Sequence, residues 1–220
     1  MSVIVVSGTD TGLGKTVFAA MLTVALDGVY WKPVQSGTEE GTDAQTVARL
    51  AALPPERILP ERYVLSQPLS PHRSAELDGV EIDPDALVLP EPCADGRPVV
   101  VEGAGGLLVP LTRQTLFIDV FRRWGAPVVL CARTALGTIN HTLLSVEALK
   151  ARGIPLLGIA FIGEAMADSE RTIVDFSGAR RLGRLPWLEE ITGDRLRRAF
   201  AENFAESFDR SDFLEGRGDA

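Results

Sequence analysis

Residues 8–16 read Gly-Thr-Asp-Thr-Gly-Leu-Gly-Lys-Thr (GTDTGLGKT), between the apolar run Val3–Val6 and a stretch with helical spacing. That stretch, Lys15–Leu26, repeats its apolar residues at Val17, Phe18, Met21, Leu22 and Ala25, the period of a helix with one buried face. A strand, a glycine loop ending in Gly-Lys-Thr and a helix form the order of a phosphate-binding loop. The usual pattern has four residues between its first glycine and the Gly-Lys pair. Counting back from Gly14 lands on Thr9, so this loop, which starts at Gly8, is one residue too long. Strand, loop and helix in this order argue against a chance glycine turn, and the extra residue asks for a second job.

Working outward, the apolar, β-branched runs continue. Val29–Val34 reads as a second strand ending at Pro33, and Val99–Glu102 as a third, followed by Gly103-Ala104-Gly105-Gly106. Pro127–Ala132 is a fourth, leading through Gly137-Thr138-Ile139-Asn140 into a helix that runs to Leu149. Leu156–Ile162 is a fifth strand and Arg181–Leu185 a sixth. Continuously apolar strands alternating with helices predict an α/β fold with a mostly parallel sheet of six to seven strands, covered on both faces. Residues 54–98 hold nine of the 14 prolines and few large apolar residues. They read as an excursion of loops and short helices within a single domain spanning 1–220. Asp194–Phe208 carries Leu196, Phe200, Phe204 and Phe208 at helical spacing and is expected to pack on the sheet.

Composition narrows the function. The chain has 220 residues, 45% hydrophobic and 24% charged, with a net charge of -8. Acidity of that size argues against nucleic acid or an anionic membrane surface as the main partner. Cys93 and Cys131 share no metal or redox spacing, and the opening residues lack the basic flank and length of a secretion signal. The expectation is a soluble, cytoplasmic protein. Only Lys15, Lys32 and Lys150 among the 22 basic residues are lysines, and two of them lie close to the glycine loop. A lysine is a compact point charge on a flexible stem, which suits a phosphate more than a planar partner.

In parallel sheets, ligands sit beyond the carboxyl ends of the strands, and the chemically informative residues cluster there. Backbone N–H groups of the loop and of the helix opening at Lys15 can bind phosphate oxygens. Lys15 reaches terminal phosphates in such loops, and the Thr16 hydroxyl holds Mg2+. After the second strand comes Lys32-Pro33-Val34-Gln35-Ser36-Gly37, and then Asp43. Asp43 reads either as a helix N-cap or as a residue facing the metal. Glu102, ending an apolar strand beside glycines, is suited to hold Mg2+ or its water. His72 and His141 are the only histidines; they suggest no metal site and read as structural or surface residues in preference to a general base. Thr138 reads either as the cap of its helix or as part of an anion site there. The residues thus describe an enzyme acting on a nucleotide triphosphate with Mg2+, two lysines and a second substrate.

The long loop and the motifs after it resemble dethiobiotin synthetase. The resemblance runs through KPVQSG at 32–37, Asp43, SPH at 70–72, VEGAGGLLVPL at 101–111, GTINH at 137–141 and GRLPWL at 183–188. It implies a P-loop NTPase-like fold and ATP-dependent ring closure of 7,8-diaminononanoate with CO2 or bicarbonate, through a carbamate and a carbamic-phosphoric anhydride. It implies that Lys15 and Lys32 are catalytic, that Thr16, Asp43 and Glu102 hold Mg2+, and that ATP lies on Gly12, Leu13, Gly14, Lys15, Thr16 and Val17. Asp43 and the 102–105 segment (Glu102, Gly103, Ala104, Gly105) also fall on the nucleotide side, and Gly163, Glu164, Pro186, Trp187 and Leu188 on the adenine. Thr11, Ser36 and Pro71 would contact the second substrate. Gly137, Thr138, Ile139 and Asn140 would take its tail carboxylate from the neighbouring subunit of a homodimer. The family usually shows Asn-Asp where Gly163-Glu164 stands, which bears on base selectivity.

Two other classes use related loops. A cobalamin-type amide synthetase normally adds a glutamine-hydrolysing domain, for which 220 residues leave no room. A partitioning ATPase wants a lysine early in the loop, where this chain has Thr9 and Asp10.

Overall fold

Alternate residues of the first strand, β1 (Val3–Gly8), point to opposite faces, and both faces are buried. In the computed structural model, which describes residues 3–91 and 93–208, Val5 joins one apolar cluster while Ile4 and Val6 join another. That is why the run reads as continuously apolar.

The chain continues through α1 (Lys15–Ala25), β2 (Val29–Trp31), β3 (Val34–Ser36), α2 (Asp43–Ala51), β4 (Ile58–Leu59) and β5 (Tyr63–Leu65). After α3 (Pro71–Asp78) come β6 (Val99–Gly106), α4 (Phe117–Trp124), β7 (Val128–Arg133) and α5 (Thr138–Ala151). The order closes with β8 (Leu156–Ile162), α6 (Ala167–Ser177), β9 (Arg181–Leu185) and α7 (Gly193–Asn203). Seven strands form one parallel sheet in the order β4-β2-β6-β1-β7-β8-β9. Helices α4, α5 and α6 contribute to the cluster on one face, and α1, α2 and α7 to the other. The expected α/β class and strand number hold.

Three expectations need correcting. Val29–Val34 is two strands: β2 ends at Trp31, and β3 leaves the main sheet to pair with β5, Val34 opposite Tyr63. Pro33 has no N–H to donate, and its carbonyl accepts from Arg62 and Tyr63 instead. The third strand does not end at Glu102 but runs on to Gly106, with Glu102 opposite Val6. Segment 54–98 holds, besides α3, the short strands β4 and β5. The C-terminal phenylalanines pack as expected: Phe204 lies edge-on to Phe18 of α1 with centroids 5.4 Å apart, and Phe204 and Phe208 are buried.

Candidate active site

The loop after β1 closes over the end of the sheet. Gly12 and Gly14 adopt φ values of 69° and 102°, which favour glycine. Gly14 caps α1 with no side-chain bond, leaving the first-turn N–H groups uncapped by any side chain. The extra residue is accounted for around Asp10. Its carbonyl accepts a 2.7 Å hydrogen bond from Lys15 Nζ, and its carboxylate accepts from the Thr11 N–H and pairs with Arg133 at the end of β7. The added length thus folds back on the loop's own lysine.

Beyond the strand ends lies a cleft of about 580 Å³ with Lys15, Thr16, Lys32, Asp43 and Glu102 along its floor. Lys32 Nζ is 2.6 Å from Asp43 Oδ2 and 3.2 Å from Glu102 Oε1, and it donates to the Gly103 carbonyl at 3.1 Å. Thr16 Oγ1 donates towards Glu102 Oε1 at 2.9 Å and Asp43 Oδ1 at 3.2 Å. These three oxygens belong to α1, α2 and β6, and they are hard donors of the kind that could hold a divalent cation. The Asp43 carboxylate is not spent on capping, because Thr42 takes the cap of α2 in a capping box with Gln45. The N-cap reading of Asp43 is therefore wrong, since Asp43 is the first helical residue.

Burial pushes the Lys15 pKa below the ordinary lysine value, and the charge of Lys32 adds to this against the pull of Glu102 and Asp43. Burial acts in the same sense on Lys32, but Glu102 and Asp43 outweigh it and the pKa ends above the ordinary value. Tyr30, fully buried, donates to Glu102 Oε2 at 2.8 Å, and burial followed by the Glu102 charge raises its pKa well above the usual phenol range. The sequence reading missed Tyr30. A tyrosine inside an otherwise apolar strand needs a partner for its hydroxyl, and that was the available signal. Gln35 was missed as well: its carbonyl accepts from the Asp43 N–H at 3.0 Å, and its amide donates to Gly37.

The other candidates divide. Thr11, Gly12, Gly14, Ser36, Pro71, Ala104 and Gly105 line the same cleft. Ser36 Oγ is buried with no hydrogen-bond partner among the described residues. Leu13 is buried beneath the loop, and Val17, within α1, packs against the core. Gly137, Thr138, Ile139 and Asn140 do not line the cleft. Gly137 is the N-cap of α5 with no side-chain bond, and Thr138 is buried against Thr142, so the capping reading of Thr138 fails. Thr9–Thr11 form one wall of a second hollow of about 440 Å³, whose other walls include Leu107, Leu144 and His141. Gly163, Glu164 and 186–188 gather at the ends of β8 and β9. The Gly163 N–H donates to the Leu185 carbonyl, and Trp187 is largely exposed.

Sheet order, glycine loop and floor of lysines and carboxylates define a nucleotide-phosphate-binding α/β protein of the P-loop type. Residues 2–195 match a family model described as an AAA domain. The chain is 65% identical over 212 residues to the ATP-dependent dethiobiotin synthetase of Rhodopseudomonas palustris (strain HaA2), covering 96% of each. It is 62% identical to that of Nitrobacter hamburgensis over 97% of each chain, and 61% identical to that of Agrobacterium fabrum over 96% of each. The chain belongs to the family of ATP-dependent dethiobiotin synthetases. Among solved structures, the septum site-determining protein MinD with Mg-ADP from Pyrococcus horikoshii is 14% identical at a TM-score of 0.57, covering 98% of this chain and 97% of that one. The cell division ATPase MinD of Pyrococcus furiosus is 16% identical at a TM-score of 0.53, covering 84% and 83%. These likenesses are of fold.

Proposed function

We propose that this chain, acting as a single domain in the cytoplasm, joins CO2 to 7,8-diaminononanoate and closes the ring at the expense of ATP. The products are dethiobiotin, ADP and phosphate. The observation that carries the reading is the convergence of two buried lysines from different strand ends on one cleft beside an over-long phosphate loop.

One amine takes up CO2 to form a carbamate, whose oxygen attacks the γ-phosphorus as ADP leaves. The second amine then attacks the carbonyl of the mixed anhydride, phosphate departs and the cyclic urea closes. The first transfer brings two anions together, so positioning and concentrated positive charge carry the catalysis. Lys15 leaves the Asp10 carbonyl for the phosphates, while Lys32 neutralises the carbamate and the transferring phosphoryl group. Thr16, Asp43 and Glu102 would hold Mg2+, which would supply further charge neutralisation at the phosphates. Thr11, Ser36 and Pro71 contact the diamine end, and the unpartnered Ser36 hydroxyl supports that role. The hollow beyond Thr11, walled by leucines, suits an aliphatic chain. The start of α5 (Gly137–Asn140) lies outside its own cleft, in keeping with service to a neighbouring subunit's substrate in a homodimer. Gly163, Glu164 and Pro186–Leu188 border the base.

Incubation with diaminononanoate, bicarbonate and MgATP tests the reading, with mass detection of dethiobiotin. ATP hydrolysis without dethiobiotin would overturn it.

A further inference from the structure

The amines of the proposed substrate are ammonium ions at neutral pH, and an ammonium has no lone pair with which to attack CO2. A proton must leave first. The titratable side chains along the cleft are Lys15, Lys32, Asp43 and Glu102. Lys15 Nζ is committed to the Asp10 carbonyl, and Lys32 is paired with both carboxylates. Among the described residues, the floor of the cleft therefore lacks a free base.

One lies behind the opposite wall. Ser70 lines the cleft beside Pro68, Leu69 and Pro71. Its Oγ lies 3.0 Å from His72 Nδ1. Ser70 stands at the N-cap of α3, yet its hydroxyl makes no capping bond, so the side chain is committed to the imidazole. His72 does not line the cleft. It faces a separate hollow of about 440 Å³ on the far side of α3, bordered by the charged groups Glu76, Glu81 and Arg113. Glu76 there is held by Arg113 and Arg73. The backbone N–H of His72 donates to the Pro110 carbonyl, which fixes this turn against the segment after β6. Ser70 and His72 thus bridge two cavities, one catalytic and one leading away from it.

We propose that Ser70 and His72 form a proton relay that deprotonates the substrate amine and delivers the proton to the hollow beyond α3. The proposal rests on the synthetase reading above. Ser70 Oγ takes a proton from the ammonium while its own O–H proton passes to His72 Nδ1. The freed amine lone pair then forms the N–C bond to CO2 as one C=O π bond opens onto oxygen. The imidazolium releases its proton from Nε2 to solvent, and exchange through solvent moves the remaining ring proton from Nδ1 to Nε2, so that Nδ1 can accept again from Ser70 when the carbamate nitrogen sheds its second. Imidazole is the side chain that ordinarily changes charge between roughly pH 5 and 8, which suits a base working at neutral pH. Ser70 is the catalytic residue that touches substrate, and His72 acts through it.

The test is the pH dependence of kcat at saturating diamine, bicarbonate and MgATP for wild type, His72→Asn, Ser70→Ala and Ser70→Thr. Wild type should show an acid limb in the imidazole range. His72→Asn and Ser70→Ala should lose that limb and turn over at least about tenfold more slowly at pH 7. Ser70→Thr, which keeps the hydroxyl, should retain the limb, and nucleotide affinity should be unchanged in all three. A limb that persists in His72→Asn, or a uniform fall with an unaltered profile, overturns the relay. Should His72→Asn fail to fold, the contrast between Ser70→Ala and Ser70→Thr decides alone. A wild-type protein that makes no dethiobiotin instead overturns the synthetase reading itself, together with the relay built on it.

Discussion

The ammonium of Lys32 sits 2.6 Å from the carboxylate of Asp43, and the same nitrogen reaches Glu102 on a neighbouring strand. Removing it leaves Glu102, almost wholly buried, without its cation. Lys32→Ala should therefore lower turnover by about 10²- to 10³-fold and also cost about 3 kcal/mol of stability, as broken buried pairs do. Urea unfolding with and without Mg2+ checks the second part, and added Mg2+ should restore some of the loss. Turnover within threefold of wild type would remove Lys32 from the mechanism.

Lys15 contrasts with it. Its ammonium rests on a backbone carbonyl and has no ion pair among the described residues. Lys15→Ala should leave stability within about 1 kcal/mol of wild type, while raising KM for ATP and lowering kcat by about 10²-fold. Titration calorimetry with ATP, run beside unfolding curves for both variants, separates the two lysines.

Gly163 has φ of 123°, and a Cβ built on it would lie 2.6 Å from Thr134 Oγ1. An asparagine at 163 would be strained on this backbone, and Gly163, proposed above to border the base, offers no side-chain amide to read it. Losing one such hydrogen bond removes about 1–3 kcal/mol of discrimination. The ratio of kcat/KM for ATP over CTP should stay below about a hundredfold. Gly163→Asn should destabilise the protein by about 1–3 kcal/mol, the cost of a strained φ, and should not sharpen base choice.

Leu108, Leu136 and Leu144 are all exposed around the start of α5 and the hollow beside Thr11. Light scattering should find a dimer, and Leu144→Glu should shift it towards monomer while raising KM for the diamine. A wild-type monomer with full activity would sink this assignment.

Hydrogen bonds from Arg113, then from Arg73, hold Glu76 at a pKa of about 2, below the usual 4.5. A carboxylate so depressed stabilises the folded state above about pH 4.5 and loses that contribution as pH falls towards 2. Glu76→Gln should therefore flatten the acid side of the Tm-against-pH curve between those values and change little at neutral pH. A wild-type curve already flat there would show that solvent screens the pair completely.

The sequence by itself determined the strand–loop–helix at 3–26, the parallel class and the place of Lys15, Thr16 and Lys32 after strand ends. Each of these is local: apolar runs buried on two faces, glycines at left-handed turns and a lysine set in a phosphate-loop pattern are visible in a few consecutive residues. What only the tertiary structure decided lies between distant segments. Pro33 marks the break locally, but that β3 leaves the main sheet to meet β5, with Val34 opposite Tyr63, shows only in the fold. Tyr30 supports Glu102 across 72 residues, Arg133 reaches Asp10 across 123, and Gln35 positions Asp43 from a neighbouring element. Such contacts depend on strand order and side-chain reach. Hydrophobic periodicity carries the first weakly and the second not at all, so the lysines were legible while the residues that hold them in place were not.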